Sequence, residues 1–334
     1  MDFDDLIHNK FCGRHVLVVG DLVADQFLRG TISRVSREAP VFILRHDETE
    51  TFAGGAANAA SNIAGLGATV SIIGIVGEDE NGRALLNRLD QNGVDRSSVV
   101  ISPGFKTTTK VRVLAGQHYA ARQQVIRIDY ENSGDADQAT VNEITAKLER
   151  AAETADAIII SDYNYGAANP EIGKLAISIG RRRGIPVIVD SRFRLEQFRG
   201  ATSATPNQDE VEQILGSDFN GNDCAELSDR LGFDALLVTR GNLGMLLARS
   251  GKAPDTFDSV GSKEPVDVTG AGDTVIAVYS LGLACGLGFA ESARLANHAG
   301  GIVVMKKGTA TVGPDELLAS LRNNQIGTHG YDAD

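Results

Sequence analysis

Asp267-Val268-Thr269-Gly270-Ala271-Gly272-Asp273-Thr274 is a polar, glycine-rich turn that runs straight into the apolar stretch Val275-Ile276-Ala277-Val278-Tyr279. The pattern predicts an anion-binding helix start. Backbone N–H groups in the first turn of a helix lack intrahelical partners and lie at the positive end of the macrodipole. Glycines at 270 and 272 remove β-carbons that would hold an anion away, so a phosphoryl group could rest on the backbone. A carboxylate at 273 is placed to take a proton from a hydroxyl attacking phosphorus. It could equally cap the helix, as acidic residues in first turns commonly do. On this stretch alone the two readings stand level.

Such a turn needs a rigid frame. His15-Val16-Leu17-Val18-Val19-Gly20 is a short, continuous apolar run ending in glycine, the pattern of a buried parallel strand. Asp21 and Asp25 follow at its carboxyl end, where open α/β sheets place ligands. Asp25 could hold sugar hydroxyls or be a solvated loop charge. Residues 27–52 are unlike a crossover helix: Thr31 to Val35 and Val41 to Leu44 are β-rich around Pro40, predicting an excursion from the main sheet. It ends at Gly54-Gly55-Ala56-Ala57-Asn58, where paired glycines permit a hinge and close approach of backbone to ligand. Asn58 could face a polyol or help a helix start.

Thr69 to Gly77 reads as the next core strand and Asp79 to Gly93 as the next helix. Thr107 to Val113 and Gln124 to Ile128 alternate apolar and polar residues, a second excursion. Together the excursions, at about 27–53 and 104–130, predict a small β lid with one face needing cover, and so a homodimer formed through it. From about residue 137 strands and helices alternate, with polar strand ends at Ser161-Asp162-Tyr163, Asp190-Ser191-Arg192 and Thr239-Arg240-Gly241. Asn207-Gln208-Asp209-Glu210 opens a further helix. Helices at about 271–285, 289–305 and from Pro314 complete one domain over 1–323. Residues 324–334 read as a frayed tail.

The net charge of −12 argues against a nucleic-acid footprint, which needs clustered Lys and Arg. Cys12, Cys224 and Cys285 form no paired motif, so neither a disulfide framework nor a zinc site is expected. An acidic amino terminus and the lack of a membrane-length apolar run predict a soluble cytoplasmic protein with no membrane partner. No GxxxxGK[ST] loop is present, and the first strand does not lead into GxGxxG. Histidines at 8, 15, 46, 118, 298 and 329 lack ligand spacing.

The Gly54-Gly55-Ala56-Ala57-Asn58 segment and the Asp267 to Thr274 turn, in this order, resemble the two signatures of the ribokinase-like (PfkB) carbohydrate kinases. The pair is far more specific than either half, and Asn207-Gln208-Asp209-Glu210 resembles the family's NxxE segment. The resemblance implies a three-layer α/β/α sandwich with a mostly parallel sheet and a small β lid. Ser33 to Val41, Ser161-Asp162-Tyr163, Thr205-Pro206-Asn207 and Lys307 to Val312 are further similar to the kinase module of D-glycero-D-manno-heptose-7-phosphate kinases, which supply ADP-heptose for bacterial lipopolysaccharide. That module is often fused to an adenylyltransferase, and a chain of 334 residues implies a stand-alone kinase. Tyr165 and the Ser191-Arg192 pair stand where such kinases tend to carry lysine. Arg192 keeps a forked cation suited to phosphate, whereas Tyr165 keeps no charge.

The resemblance implies ATP with Mg²⁺ along the cleft, Asp273 as base on the anomeric hydroxyl, and Gly270, Ala271 and Gly272 as donors to the transferring group. It implies that Asp25, Gly54, Gly55 and Asn58 hold the sugar and Arg192 its distal phosphate. It places Asn207, Gln208, Asp209 and Glu210 at the nucleotide phosphates, with Glu210 acting on Mg²⁺ through water, and Thr239, Gly241 and Asn297 at the base and ribose end. Asp267 and Thr269 would face a monovalent cation such as K⁺, or form a structural turn. The alternatives are a relative acting on an unphosphorylated sugar, and a catalytically silent sugar- or nucleotide-binding module, which would not need a base.

Overall fold

Alternation of burial along each core strand builds three layers. In the strand His15–Gly20, Val16 and Val18 join one hydrophobic cluster while Leu17 and Val19 join the other. Ile159 against Ile158 and Ile160, and Leu237 against Leu236 and Val238, divide in the same way. Strands buried on both faces must be covered twice, which is why they read as continuous apolar runs. The helices Ala56–Gly65, Glu80–Gln91, Ala271–Ala284, Phe289–Val303 and Pro314–Gly327 cover one face. Gln138–Ala151, Pro170–Arg183, Gln208–Leu215 and Gly221–Leu231 cover the other. This computed structural model describes residues 2–117, 122–132, 136–262 and 264–327, with side chains as far as residue 323. His118, His329, the part of the second excursion at 118–121 and the expected tail beyond 327 lie outside the described residues.

The main sheet has eight strands in the order Asp255–Phe257, Met245–Ala248, Ala235–Thr239, Ser203–Ala204, Val187–Ser191, Ala157–Asp162, His15–Gly20, Thr69–Ile73. From Ala235–Thr239 onward neighbours are parallel, and the first two strands add an antiparallel edge. All parallel strands therefore end on one side of the sheet, where such folds place their ligands.

A second, four-stranded sheet rises from that side in the order Phe42–Gly55, Leu22–Val35, Thr109–Gly116, Gln123–Tyr130. Its first strand starts at Leu22, with only Asp21 separating it from His15–Gly20, because the hairpin keeps pairing down to Leu22 opposite Gly55. The excursion expected from about 27 is thus longer and rooted directly in the core sheet. Arg29/Gly30 and Ile32/Arg34 mark two register shifts, the kind of irregularity that bends a hairpin.

The expected strand 69–77 divides at Gly74 into Thr69–Ile73 in the main sheet and Ile75–Gly77, which pairs with Val100–Ser102. A β-carbon at Gly74 would lie 2.6 Å from both the Gly20 carbonyl oxygen and Leu22 Cγ, so the chain bends around the lid's root there. The last helix continues in backbone to Gly327, past the expected boundary at 323. Helix Gly221–Leu231 and the antiparallel edge strands are additions to the sequence reading. No helix among the described residues is long and apolar enough to cross a membrane.

Gly20 is the register partner of Ser161 at the junction of sheet and lid. A β-carbon at Gly20 would collide with the Ser161 carbonyl oxygen and lie 2.9 Å from Ser161 Cβ and 3.0 Å from Ala56 Cβ. Gly20→Ala is therefore expected to lower stability by about 1–3 kcal/mol. Urea denaturation checks this, and an unchanged midpoint would contradict the packing.

Candidate active site

Gly270 is the N-cap of Ala271–Ala284, with φ +78°, and no side chain caps this helix. A β-carbon at Gly270 would strike the Asn58 amide and strain the backbone, so glycine is required here. The helix is buried from Asp273 through Gly282, which accounts for its largely apolar sequence after Thr274. Asp273 is 4% exposed and does not cap its helix. Its Oδ2 accepts Asn58 Nδ2 at 3.0 Å and its Oδ1 accepts the Tyr163 hydroxyl at 2.8 Å. Burial pushes Asp273 up to about 6, against the lowering effect of the Asn58 and Tyr163 hydrogen bonds.

Asn58 lies in the first turn of Ala56–Gly65 but faces away from a capping role. Its amide also donates to the Gly270 carbonyl at 3.2 Å, and its Oδ1 accepts Asn62 Nδ2 at 3.2 Å. The two glycine-rich segments, 54–58 and 270–273, thus meet through one buried asparagine.

Gly54 and Gly55 end the lid strand Phe42–Gly55. A β-carbon on Gly54 would come within 2.5 Å of Asp25 Oδ2, and Gly55 has φ +58°. Asp25 is buried and ion-paired to Arg112 at 2.5 Å, across from Lys110 in the parallel pairing of the lid. Burial raises the Asp25 pKa, and the Arg112 charge opposes the rise. Lys110 and Arg112, two residues apart on one strand face, escape the sequence reading although the alternation of residues 107–113 contains them. Lys110 Nζ sits 5.5 Å from the Tyr163 ring centroid and 5.7 Å from that of Tyr165. Its pKa is lowered by burial and further by Arg192, with Asp25 opposing. The Tyr165 hydroxyl donates to Glu131 at 2.6 Å. Arg192 lies over the Phe193 ring, 5.4 Å from its centroid.

Asn207 and Glu210 form a reciprocal capping box: Glu210 N–H donates to Asn207 Oδ1 and Asn207 N–H to Glu210 Oε2, both at 2.9 Å. Gln208 donates along its helix to Glu212 at 2.8 Å, and Asp209 is exposed. Neither lines the cavity described below. Burial raises Glu210, and burial together with the charges of Glu210 and Asp273 raises Asp190 well above the carboxylate range. A carboxylate crowded by others in this way suits a bound cation, so Asp190 and Glu210 are the residues that could hold Mg²⁺. Asp190 was quoted in the sequence only as a strand end.

A cavity of about 190 Å³ runs alongside Ala271 and Gly272. Thr239, Gly241 and Asn297 line it with Met245, Val260 and Val268, giving mostly apolar walls that suit a purine. Asn297 Nδ2 donates to the Asp258 carbonyl at 2.7 Å, and Thr239 N–H to the Pro206 carbonyl at 2.9 Å. Asp267 staples its own turn to a later loop, with Oδ1 accepting Thr269 N–H and Oδ2 accepting Gly308 N–H, each at 2.9 Å.

An α/β/α sandwich whose strand ends carry a β lid, with a buried carboxylate beside a glycine-bounded helix start, defines the ribokinase-like class of phosphotransferases. Solved structures agree on the fold. Arabidopsis thaliana ribokinase complexed with ribose and ATP superposes with TM-score 0.71 at 21% identity, covering 92% of this chain and 98% of that one. Escherichia coli phosphofructokinase-2 in complex with potassium gives TM-score 0.75 at 18% identity, covering 93% and 99%. Residues 14–316 match the family described as pfkB family carbohydrate kinase, and the chain belongs to that family. The chemistry that this family's description names is phosphoryl transfer to a carbohydrate.

Among curated relatives, the bifunctional protein HldE of Trichlorobacter lovleyi is 40% identical over 315 residues, 91% of this chain and 62% of that protein. HldE of Caulobacter vibrioides is 38% identical, covering 96% and 67%, and that of Haemophilus influenzae Rd is 41% identical, covering 92% and 63%. The chain thus spans about three fifths to two thirds of the length of these relatives.

Proposed function

We propose that the chain phosphorylates the anomeric (C1) hydroxyl of a sugar already bearing a distal phosphate, D-glycero-D-manno-heptose 7-phosphate, with ATP as donor. The observation that carries a phosphorylated acceptor is the meeting of Lys110 and Arg192. Lys110 comes from the lid and Arg192 from the end of a main-sheet strand, the Arg192 charge adds to burial in lowering the Lys110 pKa, and neither makes an ion pair with a carboxylate among the described residues. Cations left unpaired beside a sugar site are complementary to an anionic group on the sugar. The curated relatives named bifunctional protein HldE and the segments resembling heptose-7-phosphate kinases support the same acceptor. Tyr165, uncharged and bonded to Glu131, favours the second reading, an unphosphorylated sugar.

In the transfer, the sugar C1 hydroxyl gives its proton to Asp273 as its oxygen forms the bond to the γ-phosphorus, and the bond from that phosphorus to the bridging oxygen of ADP breaks. Ala271 and Gly272 line the nucleotide cavity; the Ala271 N–H donates to the Val268 carbonyl at 3.2 Å, so the N–H groups of Gly270 and Gly272 are the donors that stabilise charge on the transferring group. Asp25 and Asn58 hold sugar hydroxyls, and the glycines at 54 and 55 let the sugar reach the backbone. Thr239, Gly241 and Asn297 hold the base and ribose end. Mg²⁺, when bound, neutralises phosphate charge, and Asp190 and Glu210 are the residues that would hold it. The lid excludes water that would hydrolyse ATP.

The lid's outer strand Gln123–Tyr130 is exposed throughout, with Ile126 at 53% and Tyr130 at 54%. We read this strand as a contact between two copies, so native mass spectrometry should give twice the chain mass, and Ile126→Lys should return it to one copy. A wild-type chain that remains single at micromolar concentration would refute the contact.

Asp273→Asn should lower kcat more than about a hundredfold with substrate binding retained. In the wild type, kcat should fall on the acid side of pH about 6 as the base is protonated. An asparagine variant of near-normal rate would remove Asp273 from the role of base. Lys110→Met should raise KM for heptose 7-phosphate by at least about tenfold and leave KM for ATP unchanged. Turnover of ribose or fructose in preference to the heptose phosphate would select the second reading.

A further inference from the structure

Tyr163 follows the strand Ala157–Asp162 and is held by the residue that links His15–Gly20 to Leu22–Val35. Asp21, buried at the junction of His15–Gly20 with the lid, accepts the backbone N–H groups of Tyr163, Tyr165 and Ala167 at 2.8, 2.9 and 2.8 Å. Asn164, between them, has φ +65°, a left-handed conformation that asparagine tolerates and that curls the loop around the carboxylate. The loop so held directs the Tyr163 hydroxyl onto Asp273 Oδ1, while Asn58, anchored by Asn62, donates to Oδ2. Rotation of the Asp273 carboxylate would break both bonds, so its plane is fixed before any sugar arrives.

We propose that Tyr163 is a positioning residue for phosphoryl transfer, which orients Asp273 and keeps it ionised, and that Asp21 ties this orientation to the root of the lid. The inference rests on the reading of Asp273 as base. Burial and the Asp273 charge raise the Tyr163 pKa far above neutrality, so the phenol remains a donor throughout the working pH range. A donor to the ionised carboxylate favours that form. The other charged groups facing Asp273 are Asp25 and Lys110 from the lid and Asp190 from the main sheet, with Glu210 behind Tyr163. Tyr163→Phe leaves all of these in place and keeps the ring beneath Lys110.

The test is the pH dependence of kcat for Tyr163→Phe. The acid limb should move upward by about one pH unit, the size expected for loss of a hydrogen bond to a charged group. KM for ATP and sugar should stay within about twofold, and activity should recover at alkaline pH. Loss of packing alone would lower kcat at every pH without moving the limb. Placing 3-fluorotyrosine at 163, a stronger donor of nearly the same shape, should move the limb downward and serves if the phenylalanine variant does not fold. A limb unmoved in either protein overturns the inference. Asp273→Asn, assayed alongside, separates the two claims: an inactive asparagine variant with an unmoved Tyr163→Phe limb leaves the base standing and removes Tyr163, whereas an active one removes the base itself.

Discussion

The site depends on one carboxylate being kept both buried and ionisable. Removing Asp273 from water raises its pKa toward neutrality, and two donors on separate elements hold the rise to about 6. Without burial the group would be a weak base with no fixed direction. Without the donors burial would raise it further and favour the protonated form. Helix Ala271–Ala284, helix Ala56–Gly65 and the loop after Ala157–Asp162 must all be in register for this to hold, so the packing of three elements is written into one proton affinity.

Asp21 extends that dependence to the lid. It is the single residue between a central strand of the main sheet and the first strand of the lid. Its backbone joins the main sheet through Ser161 and the helix at Ala56, while its side chain gathers the loop carrying Tyr163. Gly20, Gly74 and Gly55 surround this junction because it leaves no room for β-carbons. The lid is therefore continuous with the frame that orients Asp273, and its strands also carry Asp25, Lys110 and Arg112.

Charges of both signs are concentrated along the cleft. Burial and the Glu210 and Asp273 charges raise Asp190, and burial raises Glu210 against the charge of Arg192. Lys110 and Arg192, neither ion-paired to a carboxylate among the described residues, bring positive charge beside Tyr165. A chain carrying a net −12 thus builds a local cationic pocket, because local geometry, not net charge, decides what a buried site accepts.

The sequence by itself determined the layered α/β frame, the two excursions and the anion-binding helix start. Each of these is a local pattern: continuous apolar runs for strands buried on both faces, alternation for the lid, and paired glycines before an apolar helix. Capping boxes such as Asn207 with Glu210 also lie within one turn and are equally legible. Only the tertiary structure decided that Asp273 does not cap its helix and that Asn58 does not start its own, because their partners are 215 residues apart in the chain. It alone brought in Tyr163, Lys110, Arg112 and Asp190, and Gln208 and Asp209 do not line the cavity beside Ala271 and Gly272. Side-chain direction and proton affinity at such positions arise from contacts between distant elements, and local sequence patterns do not encode them.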